Sequence, residues 1–163
     1  MIFVILGSQK NQFNRLLKAI DQQIAENQIK DKVYAQIGYS GYVPENFSYK
    51  KFMSQEELSR EVDGADIIIS HGGTGSIMGS LKKGKDIIAV PRRAEFGEHN
   101  DNHQIQMVSE LAKNRLISYC ADPRELYKYI DEIKECRIRN KIPYISNTQG
   151  YIDDIEQFIK ENV

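Results

Sequence analysis

Residues 70–76 form a glycine-rich segment, Ser-His-Gly-Gly-Thr-Gly-Ser, whose composition suits the binding of an anion. It follows an apolar run at 67–69 that is typical of a strand, and it precedes a helical pattern over 77–83. Glycine lets the backbone approach a ligand closely, and the unpaired amides at a helix start can bind phosphate oxygens. The segment therefore predicts a phosphate site, with a nucleotide as the first candidate ligand. The predicted contacts are Gly72, Gly73, Thr74, Gly75 and Ser76.

The same segment also has a purely structural interpretation. Its glycines can form a simple turn in which Thr74 or Ser76 caps the following helix. The imidazole of His71 can donate to a phosphate or to charge developing on a leaving group, or it can be hydrogen-bonded structure. A strand before the glycines and a helix after them favour the phosphate site.

A second polar segment, residues 91–104, follows the strand predicted at 87–90. Paired arginines offer charge-assisted hydrogen bonds to phosphates, and the acid and amides after them offer contacts to hydroxyl groups. His99 and His103 could share a helix face with a metal ion, but the HExxH pattern and a convincing third ligand are missing, so no metal is predicted. The residues predicted to bind ligand here are Arg92, Arg93, Glu98, His99, Asn102, His103 and Gln104.

A third loop, residues 7–11, follows the apolar run at 2–6. It contains neither the GxGxxG pattern of dinucleotide-binding folds nor the Walker lysine pattern, which argues against a dehydrogenase or a P-loop NTPase. Gly7 and Ser8 can contact a donor phosphate or a partner, or they can form a tight turn and a helix cap.

Short apolar runs alternate with amphipathic helical patterns along the chain. The runs at 2–6, 33–37, 67–69, 87–90 and 116–117 have the length expected of strands buried on both faces. Helices are predicted between them, one of which opens on a capping box at residues 54–57, and a last helix is predicted at 150–163. This order predicts an α/β fold, a Rossmann-like parallel sheet with helices on both faces and ligand loops at the carboxyl ends of the strands.

Length and composition indicate a single domain, residues 1–163. The net charge of -1 gives no reason to expect a nucleic-acid partner. Two cysteines, Cys120 and Cys136, are too few for a disulfide framework or a zinc cluster, which favours a reducing cytosol. No apolar run approaches the roughly 20 residues of a membrane span.

Three stretches, residues 70–77, 90–93 and 97–104, together resemble the carboxyl-terminal domains of family 28 glycosyltransferases. The chain is most similar to the small, single-domain subunits of split glycosyltransferases. These are the PssE-type proteins of bacterial capsule and exopolysaccharide clusters and the soluble subunit of the eukaryotic dolichol-linked N-acetylglucosaminyltransferase. The resemblance extends from Met1 to the last predicted helix.

The resemblance implies the donor-binding, carboxyl-terminal half of a GT-B fold. It implies the catalytic subunit of a heteromeric inverting transferase that moves a hexose, with galactose as one candidate, from a UDP-sugar to a lipid-linked saccharide acceptor in capsule or exopolysaccharide biosynthesis. A membrane-anchored, PssD-type subunit would bind the acceptor, contact the helix at 150–163 and hold the chain in the cytoplasm at the inner face of the membrane. The alternatives are a non-catalytic nucleotide-binding or scaffold subunit and, less favoured, a nucleotide-sugar epimerase.

The resemblance also assigns roles to residues. Residues 70–76 would bind the diphosphate, residues 92–104 would close over the donor, and no cofactor or metal is implied. His71 and Arg93 are the predicted catalytic groups, because charge building on the departing diphosphate must be stabilised. In the related peptidoglycan enzyme that makes lipid II, an acidic residue on the helix after the glycines binds ribose. Gly79 stands at the equivalent position, so that contact is missing here.

Overall fold

A parallel sheet of six strands forms the centre of the computed structural model, which describes residues 1–101, 103–135 and 145, apart from the side chain of His103. The strands are β1 (Ile2–Ile5), β2 (Val33–Gln36), β3 (Ser48–Lys50), β4 (Ile67–Ser70), β5 (Asp86–Ala89) and β6 (Ser118–Tyr119). The helices are α1 (Asn14–Ala25), α2 (Gln55–Gly64), α3 (Thr74–Lys82), α4 (His103–Lys113) and α5 (Leu126–Lys134), with 3-10 turns at Ala94–Phe96 and Pro123–Glu125. The strand order is β3-β2-β1-β4-β5-β6.

Both faces of the sheet are covered by helices, which explains the continuous apolar strands. Ile2 and Val4 of β1 pack with α1 and α5, whereas Phe3 and Ile5, which point to the opposite face, pack with α2, α3 and α4. Each such fully buried side chain stabilises the fold by about 1.5–3 kcal/mol. The predicted Rossmann-like fold is confirmed.

Two strands at the sheet edges differ from the prediction. The exposed strand β3 was not predicted, because its sequence, Ser-Tyr-Lys, carries no apolar pattern and its order comes from pairing with β2. The apolar pair predicted as a strand at 116–117 precedes β6, since Leu116 N still donates to Leu111 O at the end of α4. The predicted helix at 150–163 and Cys136 lie outside the described residues.

The register of the parallel strands sets three loops side by side. Ile5 of β1 pairs with Ser70 of β4, and Ser70 pairs with Ala89 of β5. The chain therefore leaves β1, β4 and β5 at the same level of one sheet edge. The three loops that the sequence predicts to bind ligand start from this edge.

The long connection between β2 and β3 is held against α1 by Asp21. This buried carboxylate accepts from the Tyr42 hydroxyl at 2.7 Å, from Glu45 N at 2.9 Å, from Asn46 N at 2.8 Å and from Asn46 Nδ2 at 3.0 Å. Burial acts to raise the pKa of Asp21, but these hydrogen bonds outweigh it and the pKa is lowered. The charged form therefore stabilises the loop.

We expect Asp21→Asn to lower the free energy of unfolding by about 2 kcal/mol, because it removes the charge and leaves buried donors without an acceptor. Since the folded pKa is below the ordinary value of 3.8, this stabilisation is present above that pH and is lost as the pH falls below it. Urea unfolding at pH 7 measures the effect. Asp63→Asn, which breaks an exposed ion pair with Lys83, is the control and should change stability by less than about 1 kcal/mol.

Candidate functional site

The first turn of α3 is open at its amino end. Gly73 is the N-cap, and no side chain caps the helix, so the alternative in which Thr74 or Ser76 caps it is wrong. The Thr74 hydroxyl instead donates to the sulfur of Met107. A methyl group added at the exposed Gly75 would have no atom within 4 Å. Backbone amides and the positive end of the helix dipole are therefore accessible to an anion.

His71 lies buried between two of the loops at this edge. Its Nδ1 is 3.0 Å from Ile5 O, and because a carbonyl oxygen only accepts, Nδ1 carries the proton in this contact. A methyl group at Gly73 would lie 2.4 Å from His71 Nε2, and one at Gly7 would lie 2.9 Å from Cε1. These two glycines are required by the imidazole itself, whatever ligand binds.

The charge of His71 is set by its surroundings. Burial, together with the positive charge of Arg92, lowers the pKa of His71 from 6.5 to about 4. The ring is thus neutral near pH 7, with Nδ1 as donor and Nε2 as acceptor. It cannot donate to a phosphate through Nε2 unless it first takes up a proton.

The loop after β1 is fixed by Gln36. Gly7 N donates to Gln36 Oε1 at 2.9 Å, and Gln36 Nε2 donates to Gly7 O at 2.9 Å. Gly7 has φ +75°, a left-handed conformation that favours glycine. Ser8 follows it and is exposed at the same edge. Gly7 thus lies beside His71, and the contact of Gly7 and Ser8 with a ligand stays a prediction.

Arg92 faces the interior, and this does not fit the direct phosphate contact predicted for it. Its side chain is 1% exposed, and Nη2 donates to Leu6 O at 2.8 Å and to Asn11 O at 3.2 Å. Burial lowers the pKa of Arg92 to about 10, which still leaves it charged at neutral pH. Arg92 Nε and Nη1 are buried without a hydrogen-bond partner. The residue holds the loop after β1 and adds a positive charge beneath the edge.

Glu98 and Gln104 also make contacts within the protein. The sugar contact predicted for Glu98 therefore does not fit the structure either. Glu98 is 1% exposed and binds Arg15 through both oxygens, at 2.9 Å each. Gln104 Oε1 accepts from Arg92 N at 3.2 Å, beside Gly72. His99 Nδ1 lies 3.2 Å from the Asp101 carboxylate. Asn102 and the side chain of His103 lie outside the described part.

Arg93 faces a different space from His71. Its Nη1 lies 3.1 Å from Glu95 and its Nη2 donates to Ala121 O at 3.2 Å. It lines an open cleft of about 720 Å³ between α1 and the loops after β5 and β6, and the described lining of this cleft contains none of residues 70–76. The two predicted catalytic side chains therefore have separate surroundings in this conformation.

Sequence reasoning missed Arg15 and Gln36. Gln36 ends a strand, and Arg15 stands in the first turn of α1, where a polar residue usually indicates only a solvated surface. Arg15 and Glu98 are 83 positions apart, so no local pattern connects them.

A parallel sheet with helices on both faces, in which the loops after β1 and β5 lie beside the uncapped amino end of α3, is a Rossmann-like fold of the kind found in GT-B glycosyltransferases. The chain belongs to the glycosyltransferase family 28 C-terminal domain family, whose model matches residues 1–157. Similar solved structures support the fold. The calicheamicin glycosyltransferase CalG4 has a TM-score of 0.60 at 18% identity over 80% of this chain and 32% of its own. MurG of Acinetobacter baumannii has a TM-score of 0.55 at 16% identity over 94% of this chain and 49% of its own.

Curated relatives carry the name UDP-N-acetylglucosamine transferase subunit ALG13. The human protein is 28% identical over 73% of this chain, and the Candida albicans protein is 27% identical over 65%. The aligned part spans only 11% of the human protein and 36% of the C. albicans protein. In the part of this chain that the structure describes, no helix has both the length and the apolar character needed to cross a membrane.

The depressed pKa of His71 predicts a pH-dependent stability. The unfolded chain takes up the proton near pH 6.5 and the folded chain only near pH 4, so stability falls as the pH drops through this window. At about 1.4 kcal/mol per pKa unit, wild type should lose about 2 kcal/mol more than His71→Asn between pH 7 and pH 5. Urea unfolding at both pH values measures this difference. An equal loss in both proteins would mean that His71 titrates normally in the folded chain.

Proposed function

We propose that this chain is the donor-binding catalytic subunit of a heteromeric inverting glycosyltransferase that transfers a hexose, with galactose as one candidate, from a UDP-sugar. The acceptor would be a lipid-linked precursor in capsule or exopolysaccharide biosynthesis, presented by a PssD-type membrane-anchored subunit. The observation that carries the proposal is the uncapped amino end of α3, flanked by the loops after β1 and β5, in a family 28 chain. The relatives named as transferase subunits support an enzyme of more than one chain.

The proposed donor position follows from the charges at this edge. The diphosphate would lie against the amides of Thr74, Gly75 and Ser76, with Gly7 and Ser8 on its other side. The buried Arg92 cation and the α3 dipole both favour negative charge there. The chemistry is attack by an acceptor hydroxyl on the anomeric carbon as the nucleoside diphosphate leaves with the bonding electrons.

His71 would act through a change of charge. An adjacent diphosphate favours the imidazolium, and a protonated His71 gains an Nε2–H donor only when the anion is present. Charge on the departing diphosphate strengthens this interaction, which is the requirement for lowering the barrier rather than for tight binding alone. Arg93 would contribute after its side chain leaves Glu95 and Ala121 O.

The amino end of α3 can be tested with two glycines that both have open space around an added methyl group, Gly75 and Gly41. We expect Gly75→Ala to weaken UDP binding about tenfold by placing a methyl group over the amides, while leaving the fold intact because no atom is contacted. Isothermal titration calorimetry with UDP measures the affinity. Gly41→Ala should bind as wild type, and unchanged binding by Gly75→Ala would place the diphosphate elsewhere.

Catalysis is tested by co-expressing the chain with a PssD-type membrane-anchored subunit and supplying labelled UDP-sugars to the membranes. We expect little transfer by the chain alone, and a loss of at least about tenfold for His71→Ala and for Arg93→Ala with the partner, as for removal of a charge-stabilising donor. Arg124→Ala, which removes an exposed arginine, is the control. If both variants retain wild-type turnover, the catalytic assignment fails and a scaffold subunit is favoured.

A further inference from the structure

Two arginines connect the loop after β5 to the part of the chain that follows β1, one from each side. Arg15 extends from the first turn of α1 to the segment 91–98, and Arg92 extends from that segment to the loop 6–11. We call this pair of contacts the arginine latch. Neither arginine is part of the glycine segment, yet each holds a loop beside it.

The Arg15 half of the latch is a two-point ion pair between a partly exposed arginine and a buried glutamate. Arg15 Nε lies 2.9 Å from Glu98 Oε1, and Nη2 lies 2.9 Å from Oε2 and 3.4 Å from Pro91 O. Glu98 Oε2 also accepts from Arg93 N at 3.0 Å. Two parallel contacts fix direction as well as distance, which a lysine cannot reproduce. Arg15 therefore sets where the segment 91–98 lies.

The Arg92 half shares an aromatic ring with Arg15. The Arg92 guanidinium lies 5.6 Å from the centre of the Phe13 ring, and that of Arg15 lies 5.3 Å from the same ring. Arg15 is also 5.0 Å from the Phe96 ring, and Gln12 Nε2 donates to Phe96 O at 3.3 Å. A cation is attracted to the face of an aromatic ring, so these contacts favour close packing of the two arginines on the two rings. The two loops and the start of α1 are therefore packed as one unit.

We propose that Arg15 is a positioning residue for the nucleoside diphosphate, acting through Glu98 to hold the segment 91–98 and the loop after β1 in a common position beside α3. Arg92 links this unit to the glycine segment, because its backbone N–H binds Gln104, which packs on Gly72. This inference rests on the proposed function only for the identity of the ligand. The mechanical link between the loops is independent of it.

A fluorescence reporter can follow the latch without any ligand. The chain has no tryptophan, so Phe96→Trp introduces one tryptophan, which can be excited selectively, against the Arg15 guanidinium. In this background we expect Arg15→Gln and Arg15→Lys to shift emission to longer wavelength and to increase acrylamide quenching at least twofold. Lys18→Gln, one turn along α1 on the same cleft, should change neither. Unchanged emission in both Arg15 variants would overturn the latch.

Calorimetric titration with UDP tests the positioning role in the otherwise native chain. We expect Arg15→Gln, Arg15→Lys and Glu98→Gln each to weaken UDP binding about tenfold, and Lys18→Gln to stay within twofold of wild type. Because Arg15 acts through Glu98, the double variant Arg15→Gln/Glu98→Gln should bind no more weakly than the weaker single variant. Folded Arg15 variants with wild-type affinity, or fully additive losses, would contradict the proposal.

The two hypotheses fail in different ways. A wild-type chain that does not bind UDP would contradict the proposed function, while the tryptophan signal would still report on the latch. Should Arg15→Gln not fold, Arg15→Lys keeps the charge and tests only the loss of the two-point contact.

Discussion

The packing of one imidazole determines how the loops at the carboxyl edge meet. His71 is hydrogen-bonded to Ile5 O at the end of β1 and is enclosed by Gly7 and Gly73, where even a methyl group would lie within 3 Å of the ring. The sequence predicts these glycines as places where backbone approaches a ligand. In the structure Gly7 and Gly73 make room for the His71 ring, whereas Gly75 of the same glycine segment faces open space. The surface around the amino end of α3 is therefore shaped by a buried side chain.

The central part of the fold follows directly from local sequence. Apolar runs of the right length give β1, β2, β4 and β5, and the Ser54–Glu57 capping box forms as predicted, with both of its hydrogen bonds present. Strand β3 could not be predicted in this way, because Ser48–Lys50 is exposed and its conformation depends on β2. The interior strands carry an apolar pattern from which they can be predicted. An edge strand such as β3 lacks this pattern, and its conformation comes from pairing with the neighbouring strand.

For the site, topology was predictable and side-chain direction was not. Parallel strands bring their loops to one edge whatever the loops contain, and this brought the glycine and arginine segments together. Arg92 and Arg93 are adjacent in an extended stretch, where successive side chains point to opposite sides. One is buried on the loop after β1 and the other faces the cleft by α1. Because both residues are arginines, the sequence predicted the same phosphate-binding role for Arg92 and Arg93.

Under the proposed function, the electrostatics of this edge explain why the chain would supply only part of an active site. A charge at a helix terminus contributes roughly 0.3–2 kcal/mol, whereas enzymatic rate enhancements require at least about 8 kcal/mol. The described edge adds a buried arginine and a histidine that is neutral near pH 7. Such groups can bind and orient a diphosphate, but nothing in these charges activates an attacking hydroxyl. Under the proposed function, that activation and the alignment of the acceptor have to come from the second subunit.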